Sequence, residues 1–200
     1  MAYDFELEER KKGIKKILIG IVITIIEVAA VIGLAYAITH KGLATMKISG
    51  ESMSPTLKVD DSILINRMIY KLFSVKRNDV VVVKQDGAEH SYFEVCRVIG
   101  LPGETVKIEE GDVYIDGNKL EEKLPFEKME NGGLALDEIT LDKDEYFMLC
   151  DNRNQAEDSR NANVGNIHKK DIVGKAWFRL NSVAVISSID NFEIEKTDEI

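Results

Sequence analysis

From Ser91 to Ile115 the chain reads SYFEVCRVIG LPGETVKIEE GDVYI. Three short runs rich in β-branched and apolar residues, Ser91–Ile99, Thr105–Glu109 and Asp112–Ile115, are separated by the turn signals Pro102-Gly103 and Glu110-Gly111. Runs of this length, alternating with period two and closed by Gly and Pro, are strands joined by tight turns. The same pattern extends outward in both directions, to Thr45–Ile48, Ser62–Asn66 and Asp79–Val83 on one side and to Glu145–Cys150 and Ile172–Phe178 on the other. Arg77-Asn78-Asp79, Asp116-Gly117-Asn118 and Asn131-Gly132-Gly133 supply further turns. The expected fold is mainly β, an antiparallel sandwich or barrel-like domain. Lys119 to Lys143 reads as an exposed excursion, and Trp177 and Phe178 read as core residues, with an apolar lip as the alternative.

The N-terminal part follows another rule. Ile17 to Thr39 is one long apolar run with a single charge, at Glu27. Its helical length of roughly 35 Å exceeds the roughly 30 Å of a bilayer's hydrocarbon core, so it is expected to span a membrane once. Ala35-Tyr36-Ala37 leaves cleavage after Ala37 as an alternative. Arg10, Lys11, Lys12, Lys15 and Lys16 precede the run, whereas His40, Lys41 and Lys47 follow it. The positive-inside rule then puts the N-terminus in the cytoplasm and the main domain outside. The expected organisation is a cytoplasmic N-terminus (1–16), a transmembrane helix (17–39), an extracytoplasmic β domain (40–188) and a polar tail (189–200). Glu27 within the span is either a tolerated protonated carboxyl or a contact for a partner helix.

Composition narrows the function classes. The 200 residues carry 26 basic and 35 acidic side chains, a net charge of −9. That balance argues against a nucleic-acid partner. His40, His90, His168, Cys96 and Cys150 fall in no metal-ligand spacing, and there is no Gly-rich phosphate loop, so neither metal nor cofactor is expected.

Three segments carry candidate chemistry. Ser49 to Leu57 reads SGESMSPTL, a bend that can present the Ser52 hydroxyl beside backbone N–H groups. Arg97 to Glu104 reads RVIGLPGE. Asp151-Asn152-Arg153, followed by Asp158-Ser159-Arg160, is either a solvated loop or a buried polar network.

In this order, and behind an N-terminal anchor, the S-M-x-P-T, R-V-I-G-L-P-G and D-N-R…D-S-R blocks resemble bacterial type I signal peptidase over nearly the whole chain. The resemblance implies a β-rich catalytic domain at the outer membrane face, with preprotein signal peptides in extended conformation and the lipid bilayer as partners. It implies cleavage after small residues by a Ser nucleophile with a Lys base. Ser52 matches the nucleophile, and its own N–H the oxyanion hole. Asp158 and Arg160 match the family's structural pair, and Arg97 the Arg that follows the Lys.

The chain departs from that pattern at three places. Cys96 stands where the catalytic Lys is expected, Cys150 replaces the Gly before Asp151, and Ala156 replaces the Ser that orients the Lys amine. A Ser hydroxyl is a weak nucleophile without a proton acceptor, and a buried thiol is a poor one because burial raises its pKa. By the resemblance both cysteines line the pocket where the Lys lies; they are either bridged or two buried free thiols. Two functions therefore stand: a membrane-anchored signal peptidase acting through Ser52, and a catalytically degenerate homologue that binds or assembles chains at the membrane surface. A self-cleaving Ser–Lys protein of the repressor type lacks support, since there is neither a helix-turn-helix nor a Lys partner.

Overall fold

The computed structural model describes residues 2–86, 91–122, 124 and 126–186. The expected polar tail, and His90, lie outside those residues. The chain divides into two compact units, one through Gly42 and one from Leu43 onward.

The first unit is a single helix, α1 (Ala2–Ala37), which widens into a π turn over Ile38–Gly42. It is long and apolar enough to cross a membrane. The helix starts well before the apolar run that predicted it. Ala2 to Lys16 is dominated by Glu, Leu, Lys and Arg, good helix formers that carry the helix on without an apolar face. Along its apolar stretch, the Thr24 hydroxyl bonds back to the Gly20 carbonyl at 3.1 Å, which satisfies a polar group within the helix itself.

The second unit is antiparallel β. Its strands are β1 (Leu43–Lys47), β2 (Ser62–Asn66), β3 (Val80–Asp86), β4 (Ser91–Gly100), β5 (Thr105–Glu109), β6 (Asp112–Ile115), β7 (Asn118–Lys119), β8 (Ile139–Thr140), β9 (Glu145–Leu149), β10 (Ile167–His168), β11 (Ile172–Arg179) and β12 (Ala184–Val185). A larger sheet runs β1-β2-β11-β3-β4-β9-β10, with β12 beside β11; a smaller one runs β7-β6-β5-β8. One short helix, α2 (Ile69–Leu72), follows β2.

Two apolar clusters explain the sequence pattern. Val80 to Val83 are all essentially buried, so β3 is a continuous apolar run rather than an alternating one. On β4 and β9 the faces divide. Cys96, Val98, Met148 and Cys150 enter the larger cluster, whereas Ile99, Phe147 and Leu149 enter the one that includes Val106, Ile108 and Val113 of the smaller sheet. These two strands are thus covered on both sides. Gly100 shows how tightly: a Cβ there would stand 2.7 Å from both Leu141 Cδ1 and Val106 Cγ2.

Two expectations are corrected. The excursion from Lys119 to Lys143 is not simply exposed, because Met129 and Ala135 pack into the smaller sheet's core. Trp177 is 39 % exposed rather than a core residue. The β11–β2 register shifts between Ala176 and Phe178, which sets Trp177 at an irregularity, and its ring lies against Phe178 at 4.8 Å.

Candidate active site

The Ser52 bend is fixed by its neighbours. Met53 and Leu57 are fully buried, and the Leu57 N–H bonds the Met53 carbonyl at 2.9 Å. The Ser54–Pro55 peptide is cis. Asn152 clamps the bend from outside: its N–H donates to the Ser52 carbonyl at 2.9 Å, and its side-chain amide to the Glu51 carbonyl at 3.2 Å. The structure therefore brings the S-M-x-P-T and D-N-R blocks together.

The R-V-I-G-L-P-G block joins them through charge. Arg97 holds Asp151 with two parallel bonds, Nε to Oδ1 at 2.8 Å and Nη2 to Oδ2 at 2.6 Å. Thr56 donates to the same carboxylate. Arg97 also donates to the Asn78 carbonyl at 3.1 Å. Both partners of this pair are almost wholly buried. A forked guanidinium–carboxylate pair fixes orientation as well as distance, which suits a position where three loops converge. Gly103, at φ +85, turns the end of the block, and Glu104 folds back to accept from the Leu101 N–H at 2.8 Å and to pair with Arg77 at 2.6 Å.

A second buried pair closes the other end. Arg160 donates Nε to Asp158 Oδ1 and Nη2 to Asp158 Oδ2, both at 2.8 Å. Asp158 Oδ2 also accepts the Cys150 N–H at 3.2 Å. Between the two pairs, Phe126 presents its ring to Arg153 at 4.1 Å and to Arg97 at 5.7 Å, and Arg153 is held by Glu122 at 2.6 Å. Of the two readings of this segment, the buried network is the one observed. The Arg153–Phe126–Glu122 contacts had no sequence signal, since Glu122 and Phe126 sit in the least patterned stretch.

Two buried sulfur atoms meet beside these pairs. Cys96 Sγ and Cys150 Sγ lie 2.6 Å apart as free, buried cysteines. The Cys96 thiol is held well above its ordinary pKa by its hydrogen bond with Cys150 and by burial. For Cys150 the bond with Cys96 acts downward, but burial and the Glu94 and Asp158 carboxylates outweigh it, and the thiol is raised as well. A thiol pushed in that direction is a poor proton acceptor for a hydroxyl.

Glu94 is the residue that sequence reading missed. It stands two positions before Cys96, on the same face of β4 by strand alternation. Its Oε1 lies 3.8 Å from Cys150 Sγ, and its Oε2 accepts from Gln85 at 3.3 Å. Burial first, then Asp158, pushes its carboxyl up to about 7. Ser52 itself is half-buried, and among the described residues its hydroxyl has no hydrogen-bond partner and its N–H donates to no backbone carbonyl. The structure thus gathers Arg97, Cys96, Cys150, Asp151, Asp158 and Arg160 into one connected group and joins the Ser52 backbone to it, without bonding the Ser52 hydroxyl to any of them.

The family model and the sequence relatives point one way. A family model described as signal peptidase, peptidase S26, matches residues 21–181. The chain is 32% identical over 182 residues to signal peptidase I P of Bacillus subtilis subsp. natto, covering 85% of this chain and 91% of that one. It is 32% identical over 172 residues to signal peptidase I U of Bacillus subtilis, covering 83% and 87%. A crystal structure of a signal peptidase I from Enterococcus faecalis aligns with 27% identity and a TM-score of 0.42, over 52% of this chain and 97% of that one.

Proposed function

The chain belongs to the signal peptidase family, and from that premise we propose that it is a catalytically degenerate member, a membrane-anchored protein that binds preprotein signal peptides without cutting them efficiently. In this reading α1 anchors it with the N-terminus in the cytoplasm, and the β unit stands on the outer face. A signal peptide joins a sheet edge as an extended strand, with main-chain bonds giving affinity and shallow pockets admitting small side chains. The binding frame is kept by Ser52 on its clamped bend and by the Arg97–Asp151 and Arg160–Asp158 pairs.

One observation carries the proposal: the Ser52 hydroxyl meets no acceptor among the described residues, while Cys96, the residue that the resemblance aligns with the base, is a buried thiol against Cys150. Loss of a general base costs about 10²–10⁴ in rate. Such a deficit turns a processing enzyme into a protein that mainly holds its ligand.

Glu94 supports a second reading, slow cleavage with a carboxylate as base. A carboxyl that titrates near 7 is matched to proton transfer at neutral pH. Under this reading Ser52 is the nucleophile, and its N–H, free of backbone acceptors, contributes to the oxyanion hole.

The test uses the full chain in detergent or nanodiscs with a model preprotein. Degeneracy predicts saturable capture of the signal peptide and no product that depends on Ser52. Product that vanishes in both Ser52→Ala and Glu94→Gln establishes the second reading. Failure to capture the peptide in any form rejects both.

A further inference from the structure

Cys96 and Cys150 face one another across a defined ladder. β4 and β9 pair with Arg97 opposite Leu149 and Val98 opposite Met148, so one further step places Cys96 opposite Cys150. The Cys150 N–H donates to Asp158 rather than across the ladder. This pair therefore lacks the cross-strand amide bond on that side, as in the closely spaced pairings where side chains approach most nearly. The sulfur atoms are in contact at 2.6 Å.

Two kinds of chemistry use such a pair: a covalent bond or a shared metal ion. Glu94 completes a set of three ligand atoms lying within 4.8 Å of one another. Two thiolates on one tetrahedral zinc, with Zn–S of about 2.3 Å, stand about 3.8 Å apart, so a metal would have to move these sulfur atoms away from each other. Structural zinc sites also take a fourth protein ligand. Among the described residues no further His, Cys, Asp or Glu joins this group. A covalent bond asks only for a small approach between two groups already opposed.

We propose that Cys96 and Cys150 are joined by a disulfide in the mature protein, and that this bond occupies the space which the family's base would use. The proposal rests on the extracytoplasmic placement given above, because disulfides persist in oxidising compartments. The oxidant is a disulfide carrier, a protein or small molecule R–S–S–R. One cysteine, as thiolate, attacks a carrier sulfur; the carrier's S–S bond breaks and the released RS⁻ takes up a proton. The second cysteine attacks the sulfur of its partner in the mixed disulfide and releases a second RSH. The pair loses two electrons and two protons, and the carrier gains them. Both sulfurs are buried once β4 and β9 have closed, so the exchange belongs to folding after translocation.

The bond does more than fill a pocket. The sequence between the two cysteines contains the whole of the smaller sheet, β5 to β8. A link at positions 96 and 150 ties the exit and return of that sheet together, beside the Arg97–Asp151 pair. In the chain-entropy picture, closing a loop of this length raises the thermal midpoint on the order of 10 °C.

The test is thiol trapping of the full chain purified from membranes of an expressing bacterium. The protein is denatured in N-ethylmaleimide, without and with prior reductant, and its intact mass is read. Protease accessibility of the β unit in outward-facing cells is scored on the same preparation. The bond predicts an accessible domain, no adduct without reductant, a mass two hydrogens light, two adducts after reduction, and a lower thermal midpoint in reductant. Cys96→Ser should take one adduct without reductant. Two adducts without reductant on an accessible domain overturn the bond and leave the placement intact. The same two adducts with a stoichiometric release of metal assign the site to metal instead. A protected domain overturns the placement and the bond with it. Peptide capture and cleavage are read separately, so failure of the bond is distinct from failure of the proposed function.

Discussion

Arg97 and Asp151 form a doubly bonded ion pair, 2.8 Å and 2.6 Å, with both side chains almost entirely out of solvent, and each is preceded in the chain by one of the two cysteines. The pair connects the strand that ends in R-V-I-G-L-P-G to the segment that clamps the Ser52 bend. The two cysteines are thus joined to the Ser52 bend through a chain of short contacts.

Removing the guanidinium should be costly. Arg97→Ala leaves a buried carboxylate without its counter-charge, a loss of about 3–5 kcal/mol. Arg97→Lys keeps the charge and loses the fork, and should fall between the two. Thermal melts of the full chain in detergent check the order wild type, Lys, Ala. A wild-type melt for Arg97→Ala would mean that the pair does not hold the site.

Gly100 should tolerate no side chain. A methyl group there meets Leu141, Val106 and the Phe147 Cβ, at 2.7, 2.7 and 2.9 Å, too close for a Cβ unless these residues shift. Gly100→Ala is expected to cost about 1–3 kcal/mol by overpacking. An unchanged denaturation midpoint in this variant would count against the packing described for β4.

Glu94 should make stability depend on pH in an unusual direction. Its folded carboxyl, at about 7, lies above the ordinary 4.5, so over that window the folded state binds more protons than the unfolded one. Stability contributed by this group is present below the unfolded value and is lost as pH rises through the folded one. Solvent reaches part of the carboxyl, beside Asp158, Glu157, Gln85 and Cys150, so the change is about 1–2 kcal/mol rather than the full shift. Glu94→Gln should remove this slope and melt higher than wild type at about pH 8. Parallel melting curves for the two proteins between about pH 4.5 and 8 would assign the slope to other groups.

Much of the β unit was legible because its strands obey simple rules. Ser62–Asn66, Thr105–Glu109 and Asp112–Ile115 are observed with the bounds that alternation and the turn residues predicted. The two-residue strands β7, β8, β10 and β12 were not, since two residues display no period. The extension of α1 before Ile17 has no apolar signal, because an apolar run marks the part of a helix suited to a membrane and not its propensity-driven continuation. At the site, the roles assigned to Ser52, Cys96 and their neighbours came from motif resemblance, whereas Glu94 escaped it: a carboxylate on a strand looks like a solvent-facing residue until the opposite strand is known. The burial of Arg153 against Phe126 was equally invisible, because it depends on a loop without pattern packing over a charged segment.

In the proposed reading a binding frame survives here, and what is gone is the proton acceptor with the room and the hydroxyl that would serve it. The most direct measurement is single-turnover cleavage of a model preprotein by the combined Cys96→Lys, Cys150→Gly, Ala156→Ser variant beside wild type, with Ser52→Ala added to each. Restoring the amine, the room for it and its hydroxyl partner should raise the rate by about 10²–10⁴, all of it lost with Ser52. A variant that folds and captures the peptide yet cleaves no faster than wild type would contradict the claim.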